Sequence, residues 1–216
     1  IMQPLKQYWN SELQIAPLTV LADPIRLEAI LRDDNAGLHP DAAYIFRKQL
    51  EESDVILINK TDLLTADELE SLKQKTAEVF PQSTLLTISA LSGRGIDEWL
   101  EEVLARRDAG KRLVEMDYDI YANGEAVLGW LNGTVTLRGA CTDWNKFTHT
   151  LLSRLAQEFD NDKYAVGHVK VISENGKRFV VGNITGTKET LSLRGSAGES
   201  EALKLIINAR VETSPE

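Results

Sequence analysis

A short apolar run that ends abruptly in polar residues places the strongest constraint on the fold of this chain. Residues 55–58 read Val-Ile-Leu-Ile, and residues 59–62 read Asn-Lys-Thr-Asp. Four apolar residues in a row are typical of a strand that is buried on both faces. The amide, the ammonium and the carboxylate that follow are then at the end of the strand, where the chain leaves the sheet. Three polar groups of different chemistry at this position suggest a ligand that contacts all of them.

Strands and helices alternate through the first half of the sequence. A capping box, in which Glu68 follows Thr65 by three residues, begins the second of three helices, and that helix stops before Pro81. Helices of this length between strands predict a parallel sheet with right-handed crossovers. The predicted strands are 16–23, 55–58 and 84–90, and the predicted helices are 40–53, 65–80 and 95–107.

The second half changes character after the charged stretch 106–112, which we take as a domain boundary. Period-2 alternation predicts mostly antiparallel strands, and Asn175-Gly176 favours a tight hairpin turn. One helix carries an apolar stripe that we interpret as core packing against the sheet. The second half is therefore predicted to be α+β. Its strands are predicted at 126–139, 165–172, 177–186, 189–195 and 201–212, and the stripe is Trp144, Phe147, Leu151, Leu152, Leu155 and Phe159.

Composition excludes several classes of function. The net charge of −9 and the pI near 5.0 argue against a protein that binds the nucleic-acid backbone. Cys141 is the single cysteine, which excludes an intrachain disulfide and fits a cytoplasmic protein. No apolar run approaches the roughly 18 residues that span a bilayer. The histidines, His39, His149 and His168, do not have the spacing of metal ligands.

Ligands of open parallel sheets bind at the carboxyl ends of the strands. Two such ends carry polar groups: Asn59, Lys60 and Asp62 at one, and Ser89 and Ala90 at the other. Guanine presents N1–H and N2–H₂ as adjacent donors, and one carboxylate accepts both. Asp62 suits that role, Asn59 can bridge the base and the backbone, and the Lys60 stem can lie against the ring. A backbone N–H near Ala90 can donate to guanine O6.

A bland reading stands beside this one. Asn and Asp are common turn residues, so the run can be a turn in which Asp62 caps the next helix. Ser89 can serve as a turn hydroxyl. Asp23, at the end of the first strand, can either support the nucleotide site or cap a helix after Pro24, and we favour the cap.

Three segments resemble a known family. NKTD at 59–62 resembles the guanine-specificity motif NKxD of GTPases, and SALSGRGIDEWLEEV at 89–103 resembles the second base-contacting loop with its helix. The spacing is similar to that of the metallochaperone GTPases that include CobW, HypB and UreG. EAVLGWLNGTVTLRG at 125–139 resembles the C-terminal domain of CobW-like members. The resemblance implies that residues 1–110 are the C-terminal part of a P-loop GTPase domain and residues 111–216 a CobW C-terminal-like domain.

Two features depart from the family pattern. Leu91 stands where many GTPases have a lysine after Ser-Ala, so a base contact from that side chain is missing. No G-x-x-x-x-G-K-[ST] phosphate loop occurs in the sequence, so the ligands for Mg²⁺ and the triphosphate are not in this chain. We therefore expect the chain to be the C-terminal piece of a longer GTPase and to be inactive alone.

The resemblance implies a function in two steps. The parent would bind GTP or GDP and couple hydrolysis to delivery of a metal or metallocofactor, for example in cobalamin synthesis, to a client metalloprotein. This chain would contribute base recognition through Asn59, Lys60, Asp62, Ser89, Ala90 and Leu91. The alternative is a nucleotide-independent protein-interaction module without hydrolase activity.

Overall fold

The computed structural model describes residues 8, 9, 12, 15–35, 37–107, 109, 112–185 and 191–213. They divide into two compact units between Tyr121 and Ala122, and Gly37–His39 group with the second unit. The predicted boundary at 106–112 includes residues 108, 110 and 111, which lie outside the described residues, and the predicted domain limits stay predictions.

The first unit is built on a three-stranded parallel sheet in the order β1-β2-β3. Thr19 pairs with Val55, and Val55 pairs with Thr84, so the three strands end level with one another. This confirms the predicted parallel α/β class. The strands are β1 Thr19–Ala22, β2 Val55–Ile58 and β3 Thr84–Thr87, and the helices are α1 Pro24–Leu31, α2 Pro40–Glu52, α3 Ala66–Val79 and α4 Ile96–Ala105.

The second unit is a five-stranded antiparallel sheet in the order β4-β8-β5-β6-β7. This confirms the predicted α+β second half with a mostly antiparallel sheet. The strands are β4 Leu128–Asp143, β5 Val166–Asn175, β6 Arg178–Ile184, β7 Ser192–Ser196 and β8 Glu199–Glu212, with helix α5 Tyr118–Val127 before them and helix α6 Trp144–Asn161 after β4.

Two local differences separate these elements from the sequence-based expectation. Helix α5 was not predicted, and it takes the first two residues of the strand expected at 126–139. The hairpin between β5 and β6 is present, with Gly176 at φ +62, but Asn175 still belongs to the ladder and pairs with Arg178. Residues 186–190, which include the predicted start of β7, lie outside the described residues.

Helix α6 packs its apolar stripe on the second sheet, as predicted. Trp144 and Leu152 are buried, and the other four residues of the stripe are partly buried against the same cluster. The sheet makes room for the helix at Gly182, where an added Cβ would lie 2.3 Å from Leu152 Cδ1.

The capping box of α3 forms as the sequence predicts. The Glu68 N–H donates to the Thr65 hydroxyl at 3.3 Å, and the Thr65 N–H donates to Glu68 Oε2 at 2.8 Å. That backbone bond, with the Thr65 hydroxyl, holds the pKa of Glu68 below its ordinary value. The stability from the pair is therefore present above the unfolded-state pKa and is lost as the pH falls through the folded-state pKa.

We expect Thr65→Ala to lower the free energy of unfolding by about 1 kcal/mol, because the Glu68 N–H loses its acceptor. Thr65→Ser keeps a hydroxyl and is the control, with a loss of less than half that size. Urea unfolding at pH 7, followed by circular dichroism, measures both. Equal losses in the two variants would contradict a role for the hydroxyl.

Candidate functional site

The three parallel strands end at one edge of the first sheet, and polar residues follow each of them. Asp23 follows β1, residues 59–62 follow β2, and residues 89–91 follow Ile88 after β3. The edge is continuous because the Asn59 N–H donates to the Ala22 carbonyl at 3.0 Å and the Ile88 N–H donates to the Ile58 carbonyl at 2.8 Å.

Several hydrogen bonds join the loop after β2 to the loop after β3, and two of them involve Asn59 and Asp62. The Ala90 N–H donates to Asn59 Oδ1 at 3.0 Å, and the Ser89 hydroxyl donates to Asp62 Oδ1 at 2.5 Å. The segments 59–62 and 89–93 thus lie side by side, as the sequence predicts. Their role in binding a nucleotide stays a prediction.

Asp62 does not cap the helix that follows it. Residues Thr61–Leu63 form one 3₁₀ turn, and the cap of α3 is Thr65. The simplest structural alternative for Asp62, a helix cap, is therefore wrong, and its described partner is instead the Ser89 hydroxyl across the loop.

Lys60 has an unusual backbone and an unexpected partner. Its φ of 58° is in the left-handed region, which costs a non-glycine residue roughly 1–2 kcal/mol. Its Nζ lies 2.7 Å from Asp23 Oδ2. Asp23 Oδ1 also accepts the Ile25 N–H at 3.0 Å, so the cap favoured from the sequence is confirmed. The same carboxylate ties the end of β1 to the end of β2.

Arg94 is a second cation in the site, and the sequence analysis does not predict it. Its Nη2 donates to the Thr61 hydroxyl at 2.8 Å, and that hydroxyl donates to the Ile88 carbonyl at 2.9 Å. Thr61 is buried, and it is the variable position of NKxD, for which no role is predicted. Thirty-three residues separate the partners, so no local pattern reveals the contact.

The loop 89–95 closes on itself. Ser89 is fully buried, its N–H donates to the Arg94 carbonyl at 2.9 Å, and its hydroxyl accepts the Ser92 N–H at 3.2 Å. Gly95 has a φ of +80°, and an added Cβ would lie 2.2 Å from the Thr87 carbonyl oxygen. The loop can turn back under β3 only because residue 95 has no side chain.

The groups predicted to contact the base lie at the surface. Asp62, Ala90 and Leu91 are exposed, and Asn59 and Lys60 are partly exposed. A cleft of about 600 Å³ lies beside β3 and is lined by Asp62 and Arg94, but Asn59, Lys60 and Ala90 do not line it. The cleft is therefore distinct from the surface predicted to hold the base.

Among the described residues, no group of three or more His, Cys, Asp or Glu side chains could hold a metal ion. Within the same part of the chain, no helix has the length and apolar character needed to cross a membrane.

Comparison with known proteins gives one family model that matches part of the chain. Residues 6–87 match the family model described as the CobW/HypB/UreG nucleotide-binding domain. The match is less than half of the 216 residues. It includes the run 59–62 and ends with β3, so the loop 89–91 lies beyond it. A comparison with curated protein sequences gives no match.

Two solved structures are similar over most of the chain. The Zn(II)-bound YjiA GTPase from E. coli is 13% identical, with 96% of this chain and 61% of that chain covered and a TM-score of 0.34. A Zn(II)-bound triple mutant of YjiA GTPase is 13% identical, with 88% and 56% covered and a TM-score of 0.28. This chain thus spans about three fifths of their length. The fold is therefore described from its own strands and helices.

Gly95 and Gly93 allow a matched test of the close approach. Both have φ near +80°, but an added Cβ at Gly93 would meet no atom within 4 Å. We expect Gly93→Ala to lose roughly 1 kcal/mol of unfolding free energy from backbone strain. Gly95→Ala should lose at least about 2 kcal/mol, because overpacking against the Thr87 carbonyl adds to that strain. Urea unfolding of both variants measures the difference, and equal losses would contradict the contact.

Proposed function

We propose that this chain is a guanine-nucleotide-binding member of the CobW/HypB/UreG family, whose nucleotide-binding-domain model residues 6–87 match. One observation carries the proposal: Asn59 and Asp62 are each hydrogen-bonded to the neighbouring loop, at Ala90 and Ser89. A base-reading carboxylate is useful only if it is held in place before the base arrives. An isolated turn would not need both links.

Asp62 is the residue that selects guanine. Ser89 donates its hydroxyl hydrogen to Asp62 Oδ1, so the carboxylate is held as an acceptor at the exposed edge of the sheet. Guanine N1–H and N2–H₂ fit an ionised carboxylate as a two-pronged, charge-assisted contact. Adenine has no such donor pair and cannot make this contact.

The contact to guanine O6 comes from the loop after β3. The Ala90 N–H is already bonded to Asn59 Oδ1, so it can reach O6 only by releasing Asn59. The Leu91 N–H is the next donor along the loop. It makes no hydrogen bond with the described residues, and Leu91 contributes its backbone although its side chain cannot replace the lysine of other GTPases. Lys60, which Asp23 orients, presents its aliphatic stem to the ring.

The residues of this chain do not fit a complete triphosphate site. The sequence has no G-x-x-x-x-G-K-[ST] loop, whose backbone N–H groups and lysine would hold the phosphates and whose Ser or Thr would bind Mg²⁺. The chain therefore supplies selection of the base. Hydrolysis, and delivery of a metal or metallocofactor to a client in the cytoplasm, belong to a longer protein that also carries the phosphate loop.

The second candidate is an interaction module that binds no nucleotide. The Lys60–Asp23 ion pair favours this candidate, because it gives the ammonium a partner within the chain and the ammonium needs no ligand. Nucleotide titration discriminates between the two, since the module would give no difference between guanine and adenine nucleotides at any concentration.

We expect the purified chain to release no phosphate from GTP above background, because it lacks the groups that position the phosphates. Affinity for GTP should be weak for the same reason. A malachite-green assay over hours measures release, with heat-inactivated protein as the control. Phosphate release that rises in proportion to protein concentration, and that copurifies with the protein over several chromatography steps, would show that the chain does position the phosphates.

The sharpest prediction concerns Asp62→Asn. The amide oxygen can keep the Ser89 bond, which leaves the NH₂ group toward the ligand. That group opposes guanine N1–H and N2–H₂ but suits xanthine, which has a carbonyl at position 2. Titration of ¹⁵N-labelled protein with GTP, ATP and xanthosine triphosphate should show a preference for GTP in the wild type and for xanthosine triphosphate in the variant. Sites of this kind discriminate by up to roughly 10⁴–10⁵.

Asp67→Asn is the matched control, since it makes the same change of charge at an exposed carboxylate in the first turn of α3. Its nucleotide preference should equal that of the wild type. If Asp62→Asn keeps its GTP affinity within a factor of two, Asp62 does not read the base. Equal loss of all three nucleotides, together with a lower melting temperature, would indicate local unfolding.

A further inference from the structure

Strand β4 forms one edge of the second sheet and is long for an edge strand. It runs from Leu128 to Asp143, 16 residues, and pairs with β8 on one side only. Its pairing begins with Leu128 opposite Glu212 and is regular as far as Arg138 opposite Ala202. No other strand of the described residues pairs with its second side, so a row of backbone N–H and C=O groups faces outward there.

The first ten residues of β4 have none of the features that protect an exposed edge from pairing. Soluble proteins blunt exposed edges with short strands, charges, prolines or bulges. From Leu128 to Leu137 β4 has no charged residue and no proline, and its first charge is Arg138, where the regular register ends. The opposite edge shows the contrast, because β7 has five residues and a central charge, Arg194.

Two large apolar side chains on one face of the same stretch project into solvent. Leu131 is 56% exposed and Val135 is 47% exposed. Both share a face with Leu137, which packs against the core. Gly133 lies between them on that face, and an added Cβ there would meet no atom within 4 Å. An apolar strip thus continues the core outward to the edge and ends without a cover.

We propose that β4 pairs with β4 of a second copy of this chain, antiparallel and about a two-fold axis at Gly133. In this register Leu131 of one copy faces Val135 of the other, and Gly133 faces Gly133. Leu131 and Val135 of both copies then each gain an apolar partner from one symmetry operation. The two sheets become one ten-stranded sheet with both α6 helices on the same side.

The strip is self-complementary, which favours a second copy over an unrelated strand. A two-fold interface must match a surface with itself, and the spacing of Leu131, Gly133 and Val135 does so around its centre. On the other face, Asn132 meets Thr134 and Trp130 meets Thr136, so no like charges oppose. Pairing residues 129–137 adds about eight to ten backbone hydrogen bonds.

The charge of the second unit also permits the pairing. Residues 122–216 contain 11 Lys and Arg and 11 Asp and Glu, so their formal charge is zero. The net charge of −9 therefore lies in residues 1–121. Two copies of the second unit can approach without the repulsion that the acidic chain as a whole would predict.

Sedimentation equilibrium of the full chain over a range of concentrations tests the proposal. The wild type should fit a monomer–dimer equilibrium. The double variant Leu131→Lys/Val135→Lys sets like charges opposite each other at both pairs, and its dimer dissociation constant should rise at least about tenfold. Val79→Lys/Leu104→Lys is the matched control, because these exposed apolar residues lie in the first unit, and it should dimerise as the wild type does.

Disulfide trapping tests the register and does not depend on lysine variants that fold poorly. In a Cys141→Ser background, Gly133→Cys sets two sulfurs at the two-fold axis, where facing Cα atoms are about 4.5–5.5 Å apart. Thr136→Cys should not cross-link, since the two copies of residue 136 would lie six residues out of register, roughly 20 Å apart. Oxidation should give a covalent dimer from the first variant alone.

Three results would overturn the proposal. A wild type that stays monomeric at all concentrations excludes the dimer. If the double lysine variant has the same dimer dissociation constant as the wild type, the dimer forms through another surface. Equal cross-linking of the two cysteine variants excludes the register centred on Gly133.

Discussion

The burial of β2 is the constraint on which the first unit depends. Val55, Ile56, Leu57 and Ile58 are each at most 1% exposed, between β1 on one side and β3 on the other. A strand that is apolar on both faces has to be central, and its two parallel neighbours then end beside it. The polar groups after β2 therefore stand between the polar groups of two other strand ends. No single loop contains all of these groups. They lie together because the buried central strand brings three strand ends side by side.

Hydrogen bonds and one ion pair then turn three neighbouring ends into one surface. Each link joins residues far apart in sequence: Lys60 to Asp23, and Asn59 to Ala90. The left-handed backbone at Lys60 is sustained by these contacts on both sides. The strain and the links together hold Asn59 and Asp62 in position before any ligand is bound, which is the property that a selective base site requires.

Sequence reasoning succeeded where a local pattern decides the structure, and failed where distant residues decide it. The strand 55–58, the capping box at Thr65 and the apolar stripe of α6 each follow from burial or capping within a few residues. The contact of Arg94 with Thr61 and the pair of Lys60 with Asp23 depend on the loops meeting in space, and nothing near them in sequence indicates it. Helix α5 was missed because its sequence carries no clear apolar periodicity and runs directly into β4.

Ser89 closes its own loop and also links that loop to Asp62. Its backbone N–H and its hydroxyl close the loop 89–94, and it is fully buried. Because the hydroxyl accepts the Ser92 N–H, its own hydrogen is directed toward Asp62 Oδ1. The turn-hydroxyl role expected for Ser89 and its contact with Asp62, at the surface proposed to bind the base, are therefore one arrangement.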